Sequence, residues 1–192
     1  MYEQIKKVLS SLIQLDKVEF DYFTSKLQIK NLKRKELLLR QGQVCNHSYF
    51  INSGCLRYFY NVEGEEITGQ FFFENGWYAD YGSYLSGKPS TQNIEALEKT
   101  EILMLSKAEL DKLFVEIPKF EKFGRLVAEK AFLGIRQYNE ILTKQTPEER
   151  YLNLIKDRPK VIECIPQHYI ASYLGIKAPS LSRIRKRIFE NK

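Results

Sequence analysis

Between Gly42 and Gly87 the chain holds seven of its ten glycines, and between Tyr49 and Tyr84 it holds twelve of its 25 aromatic residues. Short β-prone runs broken by glycine turns at this spacing leave no room for intervening long helices, so they call for an antiparallel sandwich or barrel. They predict strands near Leu27–Leu32, Glu36–Arg40, Ser48–Asn52, Cys55–Tyr60, Ile67–Phe73, Trp77–Ala79, Gln92–Ala96 and Glu101–Leu105. Asn61-Val62-Glu63-Gly64-Glu65, between two aromatic runs, is the clearest hairpin. With 43% hydrophobic residues among 192, the chain can bury a real core. Tyr49, Tyr58, Phe71, Phe73, Trp77, Tyr78 and Tyr84 either fill such a barrel or line an apolar ligand pocket, and filling is the commoner use.

After Leu105 the period becomes helical. Ser106 followed by Glu109 reads as a capping box opening a helix to about Val115. Pro118 suits a second helix start, and nothing stronger than glycine interrupts the run from there to Lys144. A rod of that length spans roughly 40 Å. Its apolar side, Phe120, Phe123, Val127, Ala131, Tyr138 and Ile141 or Leu142, returns every three or four residues and suggests a dimer seam. Thr146-Pro147-Glu148-Glu149 starts another helix, which Arg158-Pro159 ends.

Other classes are disfavoured by what is missing. No run of eighteen apolar residues exists, and Met1 to Leu15 has no small-residue cleavage pattern, so a soluble cytoplasmic protein is expected. Cys45, Cys55 and Cys164 never form a C-x-x-C pair, which argues against zinc fingers and cysteine-ligated clusters. With only His47 and His168, neither a three-histidine metal site nor a nucleophile–histidine arrangement is supported. No catalytic residue, metal site or cofactor is therefore expected.

The segment from Gln167 to Ile184 has a spacing with a physical explanation. Two closely crossing helices need a small residue at the contact, here Ala171, and a sharp turn four residues later, here Gly175. Ile170, Leu174, Ile176, Leu181 and Ile184 then face inward, and Pro179 suits the first turn of the second helix. This is a helix-turn-helix. The second helix carries Ser180, Arg183 and Arg187 along one stripe, with Ser182 and Lys186 beside it and Lys177 at the turn. Such a face can enter a major groove, arginine reading guanine edges while other donors grip phosphates. Of the net charge of +6, the sixteen residues from Lys177 to Lys192 carry +5. A rival use of this basic tail is contact with RNA or an acidic protein partner.

On these residues the chain resembles the CRP/FNR family of bacterial transcription regulators over nearly its whole length. Leu37-Leu38-Leu39-Arg40-Gln41-Gly42-Gln43 resembles the opening strand and turn of the family's cyclic-nucleotide-binding fold. Tyr49 to Gly54 resembles its next strand and turn, and Val62 to Ile67 its hairpin, while Ile165 to Lys186 is the most specific match. The resemblance implies an α+β protein: a jelly-roll sensor domain over 1–117, a dimerisation helix over 118–145 and a helix-turn-helix domain over 146–192. It implies a homodimer on double-stranded DNA carrying an inverted repeat, RNA polymerase as a further partner, and a small-molecule effector of unknown identity.

Three departures qualify it. Family members that bind a cyclic nucleotide carry Gly-Glu followed by Arg-Ser or Arg-Thr; here Ala79-Asp80 and Ser90-Thr91 stand in those places. Asp80, Tyr81, Gly82, Ser90 and Thr91 are thus a candidate effector pocket that has no cation for a cyclic phosphate, and Lys88 is two residues away. The oxygen-sensing branch needs four cysteines, and a haem-sensing mode would turn to His47. In the reading helix, Ala178-Pro179 replaces a base-contacting Arg-Glu pair, Arg183 matches the second base-reading arginine, and the usual β-wing is expected to be reduced or absent.

Overall fold

The computed structural model describes residues 2–190 and separates into two compact units. One runs to Tyr58 and from Phe71 to Ala131; the other comprises Phe59–Gln70 and the chain from Phe132 onward. Lys192, counted in the basic segment above, lies outside the described residues.

The eight expected strands form within two residues of their expected ends: β1 Gln28–Leu32, β2 Leu37–Leu39, β3 His47–Ser53, β4 Cys55–Val62, β5 Glu65–Phe73, β6 Trp77–Tyr78, β7 Asn93–Ala96 and β8 Thr100–Ser106. They make two four-stranded sheets, β1-β8-β3-β6 and β2-β7-β4-β5. In the first sheet β8 pairs antiparallel with β1 and with β3, placing Gln28 opposite Met104 and Phe50 opposite Leu103. Gly54 joins β3 to β4 at φ +92°; a Cβ there would lie 2.5 Å from the Thr100 hydroxyl, so no other residue fits. At the β4–β5 hairpin, Glu63 and Gly64 both have positive φ, as a two-residue type I′ turn requires.

Strand alternation builds two cores. Tyr49, Ile51 and Ile102 join Leu39, Leu56 and Ile94 in the barrel interior. Phe50, Leu103 and Leu105 face the other way, onto the helices α1 Glu3–Ser10, α2 Lys17–Ser25 and α4 Lys107–Glu116 and the start of α5 Lys119–Lys144. In the barrel Tyr78 stacks on Tyr58 at 5.7 Å and on Phe72 at 4.0 Å, whereas Trp77 packs on the helix side, between Phe50 and Phe123. On the opposite face of β4 from Leu56, the fully buried Arg57 is held by Glu95 of β7 at 2.6 Å.

The expectations fail in some places. Ser106 accepts the Glu109 N–H at 3.2 Å, but the Glu109 carboxylate turns to Lys112 and Lys26, leaving half a capping box. Pro159 does not merely stop α6 Pro147–Asp157; it starts α7 Pro159–Cys164. Helices α1 and α2 had no counterpart among the expected elements, although Asp16 and Glu19 form a complete capping box that the sequence displays. A further short helix, α3 Tyr81–Ser86, sits where only a turn region was expected.

Helix α5 matches its expected extent, but the expected seam is largely committed within the chain. Phe120 and Phe123 are buried in the core, Val127 packs against it, and Tyr138 stacks on Tyr173. Helical period reveals an apolar stripe without saying what covers it. The exposed apolar residues of α5 are Phe132 (65% exposed), Leu133 (60%), Ile135 (58%) and Leu142 (37%), of which only Leu142 belongs to the expected stripe. Among the described residues no helix is long and apolar enough to cross a membrane, and no His/Cys/Asp/Glu cluster could hold a metal.

Candidate nucleic-acid interface

The second unit ends in α8 Gln167–Tyr173 and α9 Ala178–Glu190. Ala171 is buried where the two meet. Gly175, at φ +70°, closes α8 with a Schellman pattern: its N–H donates to the Ser172 carbonyl, and the Ile176 N–H reaches back to that of Ala171 at 3.0 Å. Ile170, Leu174, Leu181 and Ile184 are buried as expected, while Ile176 is only half-buried. The helix-turn-helix read from the spacing is therefore formed by α8 and α9.

Its basic face divides into committed and uncommitted groups. Lys177 pairs with Glu65 at the tip of the β4–β5 hairpin, and Arg187 pairs with Glu148 of α6 at 3.0 Å. Lys186 lies 3.7 Å from Glu190, an exposed pair one helical turn apart that contributes little. Arg183 is exposed, with no carboxylate partner among the described residues; its guanidinium donates only to the Ser180 hydroxyl at 3.3 Å. Ser182 is exposed. An open groove along this helix is lined by Ser180, Arg183, Lys186 and Arg187.

Contacts that sequence spacing did not reveal, together with the Thr146 cap that it did, hold this module. The Ser172 hydroxyl donates to the Glu66 carbonyl at 3.0 Å and accepts the Thr68 N–H at 2.9 Å, so the hairpin tip clasps α8. Tyr138 donates its hydroxyl to the Tyr173 carbonyl at 2.8 Å, and burial pushes that phenol above its ordinary pKa. Arg150 caps the end of α5 by donating to the carbonyls of Leu142 and Gln145. A capping box at Thr146 and Glu149 starts α6, and the Thr146 hydrogen bonds hold the Glu149 carboxyl below the usual range.

The candidate effector residues are otherwise disposed. Asp80 is the N-cap of α3, where its Oδ1 accepts the Ser83 N–H at 3.4 Å. Tyr81 packs against the barrel core, where burial raises its pKa; Gly82 and Thr91 are exposed. Ser90 is buried and spends its hydroxyl on Gln92, accepting its N–H at 3.1 Å and donating to its carbonyl at 2.9 Å. Lys88 is exposed. His47 is half-buried on β3 against Tyr49, and burial lowers its pKa.

Comparison with known proteins agrees with this arrangement. The family described as "Cyclic nucleotide-binding domain" matches residues 29–116. The transcriptional activator protein FnrA of Stutzerimonas stutzeri is 25% identical over 173 residues, covering 83% of this chain and 70% of FnrA. Among solved structures, FixK2 of Bradyrhizobium japonicum aligns at a TM-score of 0.74 with 14% identity, over 86% of this chain and 85% of its own. The c-di-GMP-responsive global regulator CLP of Xanthomonas campestris aligns at 0.73 with 15% identity, over 92% and 93%. A barrel that matches the cyclic-nucleotide-binding domain, a long helix and a terminal helix-turn-helix follow one another in this chain, which over most of its length is similar to these transcription regulators.

Proposed function

We propose that the protein is a homodimeric, DNA-binding transcription regulator, with a sensor over 1–117, a dimerisation helix over 118–145 and a DNA-binding domain over 146–192. The observation that carries this is Arg183: an exposed guanidinium on a helix-turn-helix second helix, unpaired with any carboxylate among the described residues and flanked by Ser180, Ser182, Lys186 and Arg187. An unspent planar donor fork of this kind suits the edge of a guanine. Lys177, Lys186 and Arg187 would exchange their carboxylates for phosphates on binding.

The second copy would be seated on the outer face of α5. Ala128, Phe132, Ile135, Asn139 and Leu142 follow one another at spacings of four and three, a heptad seam with one polar residue to fix register. Two reading helices then meet half-sites about one helical turn apart. Ile135→Glu is expected to convert the dimer to monomer in sedimentation velocity and to weaken operator binding with it.

The sensor would not take a cyclic nucleotide in the family's manner. No cation stands at 90–91, and the Ser90 hydroxyl bonds the backbone of Gln92 in both directions. Calorimetric titration with cyclic AMP is expected to give no binding heat.

Selection of bound fragments from genomic DNA, in the presence of competing non-specific DNA, tests the main claim. An inverted-repeat consensus should emerge, and Arg183→Ala should cost about 1–3 kcal/mol on it while relaxing discrimination at one position. Absence of any preferred fragment would return the basic helix to an RNA or acidic-protein partner.

A further inference from the structure

Within the second unit, a cleft of about 280 Å³ opens among α5, α6, α8 and β5. We infer that it is a binding site for a small organic anion carrying one planar ring and a hydrogen-bond donor, a ligand distinct from the DNA read by α9. Four observations converge on this chemistry.

First, Arg150 lines the cleft with a buried Nε–H that has no partner among the described residues. Its Nη1 is fixed on the carbonyls of Leu142 and Gln145, so the guanidinium is held in place beside the cleft. A buried donor left unmade is costly, and an anionic acceptor removes that cost while adding a charge-assisted bond. Second, Arg158, which follows the last turn of α6, also lines the cleft. It is anchored by the Gln70 side-chain carbonyl and lies against the Tyr173 ring, and it supplies a second positive end. Third, Tyr138 and Tyr173 stack at 5.1 Å and form one wall, with the Tyr138 hydroxyl already spent on a backbone carbonyl; what they offer a ligand is apolar ring surface. Fourth, Asp157 also lines the cleft, and its carboxylate would accept a hydroxyl or amine of the ligand while disfavouring a second anionic group nearby.

The volume lies near the lower end of ligand cavities, which run from about 300 to 1,000 Å³, so a single-ring metabolite fits better than a dinucleotide. Because Tyr173 and Leu174 close α8, an occupant would touch the first helix of the reading module together with α5 and the hairpin strand. Occupancy would bias how that module is held and so change DNA affinity, a consequence that rests on the regulator reading above.

The test is calorimetry on the full chain with phenyl phosphate as the probe. One molecule should bind per protomer. Gly134→Leu places a side chain in the cleft at a position where a Cβ meets nothing within 4 Å, and on a helix it should not impair folding. It should weaken binding about tenfold or more, as should Arg158→Gln through loss of a charged hydrogen bond. Arg183→Ala, on the separate basic groove of α9, should leave it unchanged. No heat at millimolar probe, undiminished binding in Gly134→Leu, or loss in Arg183→Ala would each overturn the site. Saturating probe should also shift the affinity for a selected DNA fragment by about threefold or more in the unmodified protein and not in Gly134→Leu. Binding without that shift overturns the regulatory consequence alone. If no preferred DNA exists, it is the regulator reading that falls, and the calorimetry still decides the site.

Discussion

Two polar constellations, the turn region from Asp80 to Thr91 and the second helix of the helix-turn-helix, attract attention in the sequence for similar reasons, and their chemistry in the fold is opposite. Around Asp80 the polar groups turn toward the chain itself: one carboxylate oxygen accepts the Ser83 N–H at the start of α3, and the Ser90 hydroxyl bonds both ways to Gln92. On α9 they are partly unspent, with Arg183 facing solvent and Lys177, Lys186 and Arg187 in exposed ion pairs that cost little to exchange. A group already satisfied by its own chain has little left to offer a ligand, whereas a surplus of exposed donors of one sign has a partner outside the molecule.

The contrast can be pressed hardest in the barrel wall. Glu95→Ala removes the carboxylate paired with the buried Arg57 guanidinium and should cost about 3–5 kcal/mol in denaturant unfolding, whereas Arg57→Met with Glu95→Leu should recover most of that. If the double variant stays as unstable as the single one, Arg57 does more than satisfy Glu95. Next in size, Ala171→Leu forces a larger side chain between α8 and α9 and should cost about 1–3 kcal/mol, seen as lost DNA binding with the barrel's unfolding transition intact. Retained DNA affinity would show that the α8–α9 contact is looser than its burial implies. Smallest is Glu65→Gln, which frees Lys177 for a phosphate. The gain in DNA affinity should be a few-fold at most, with a steeper dependence on salt in a titration series. An unchanged salt slope would remove Lys177 from the contact set.

Much of this molecule is legible without coordinates because the signals are local. Period-two runs broken by Gly54 and Gly64 placed every strand to within two residues of its ends, and Thr146-Pro147-Glu148-Glu149 placed the start of α6. The half-formed box at Ser106 shows the limit: Glu109 bonds Lys112 at 2.7 Å and lies 3.5 Å from Lys26, 83 positions earlier, a neighbour about which local spacing carries no information. The reading helix was legible for the same reason that the barrel was, since Ala171 and Gly175 answer to backbone geometry within a few residues.

What the chain's order of residues determined by itself is a glycine-turned β barrel, a long helix and a helix-turn-helix whose outward face is basic, because propensity, capping and positive-φ turns act over a few residues. What only the tertiary structure decided is which groups remain available. It turned Asp80 into a helix cap, set the expected α5 seam largely against the chain's own residues, tied Lys177 to a hairpin tip 112 positions away, and gathered Arg150, Arg158 and Tyr138 around one cleft. The physical reason is common to all four: hydrogen bonds and apolar contacts are satisfied by whatever the fold brings near, and a side chain's chemistry is what remains after that.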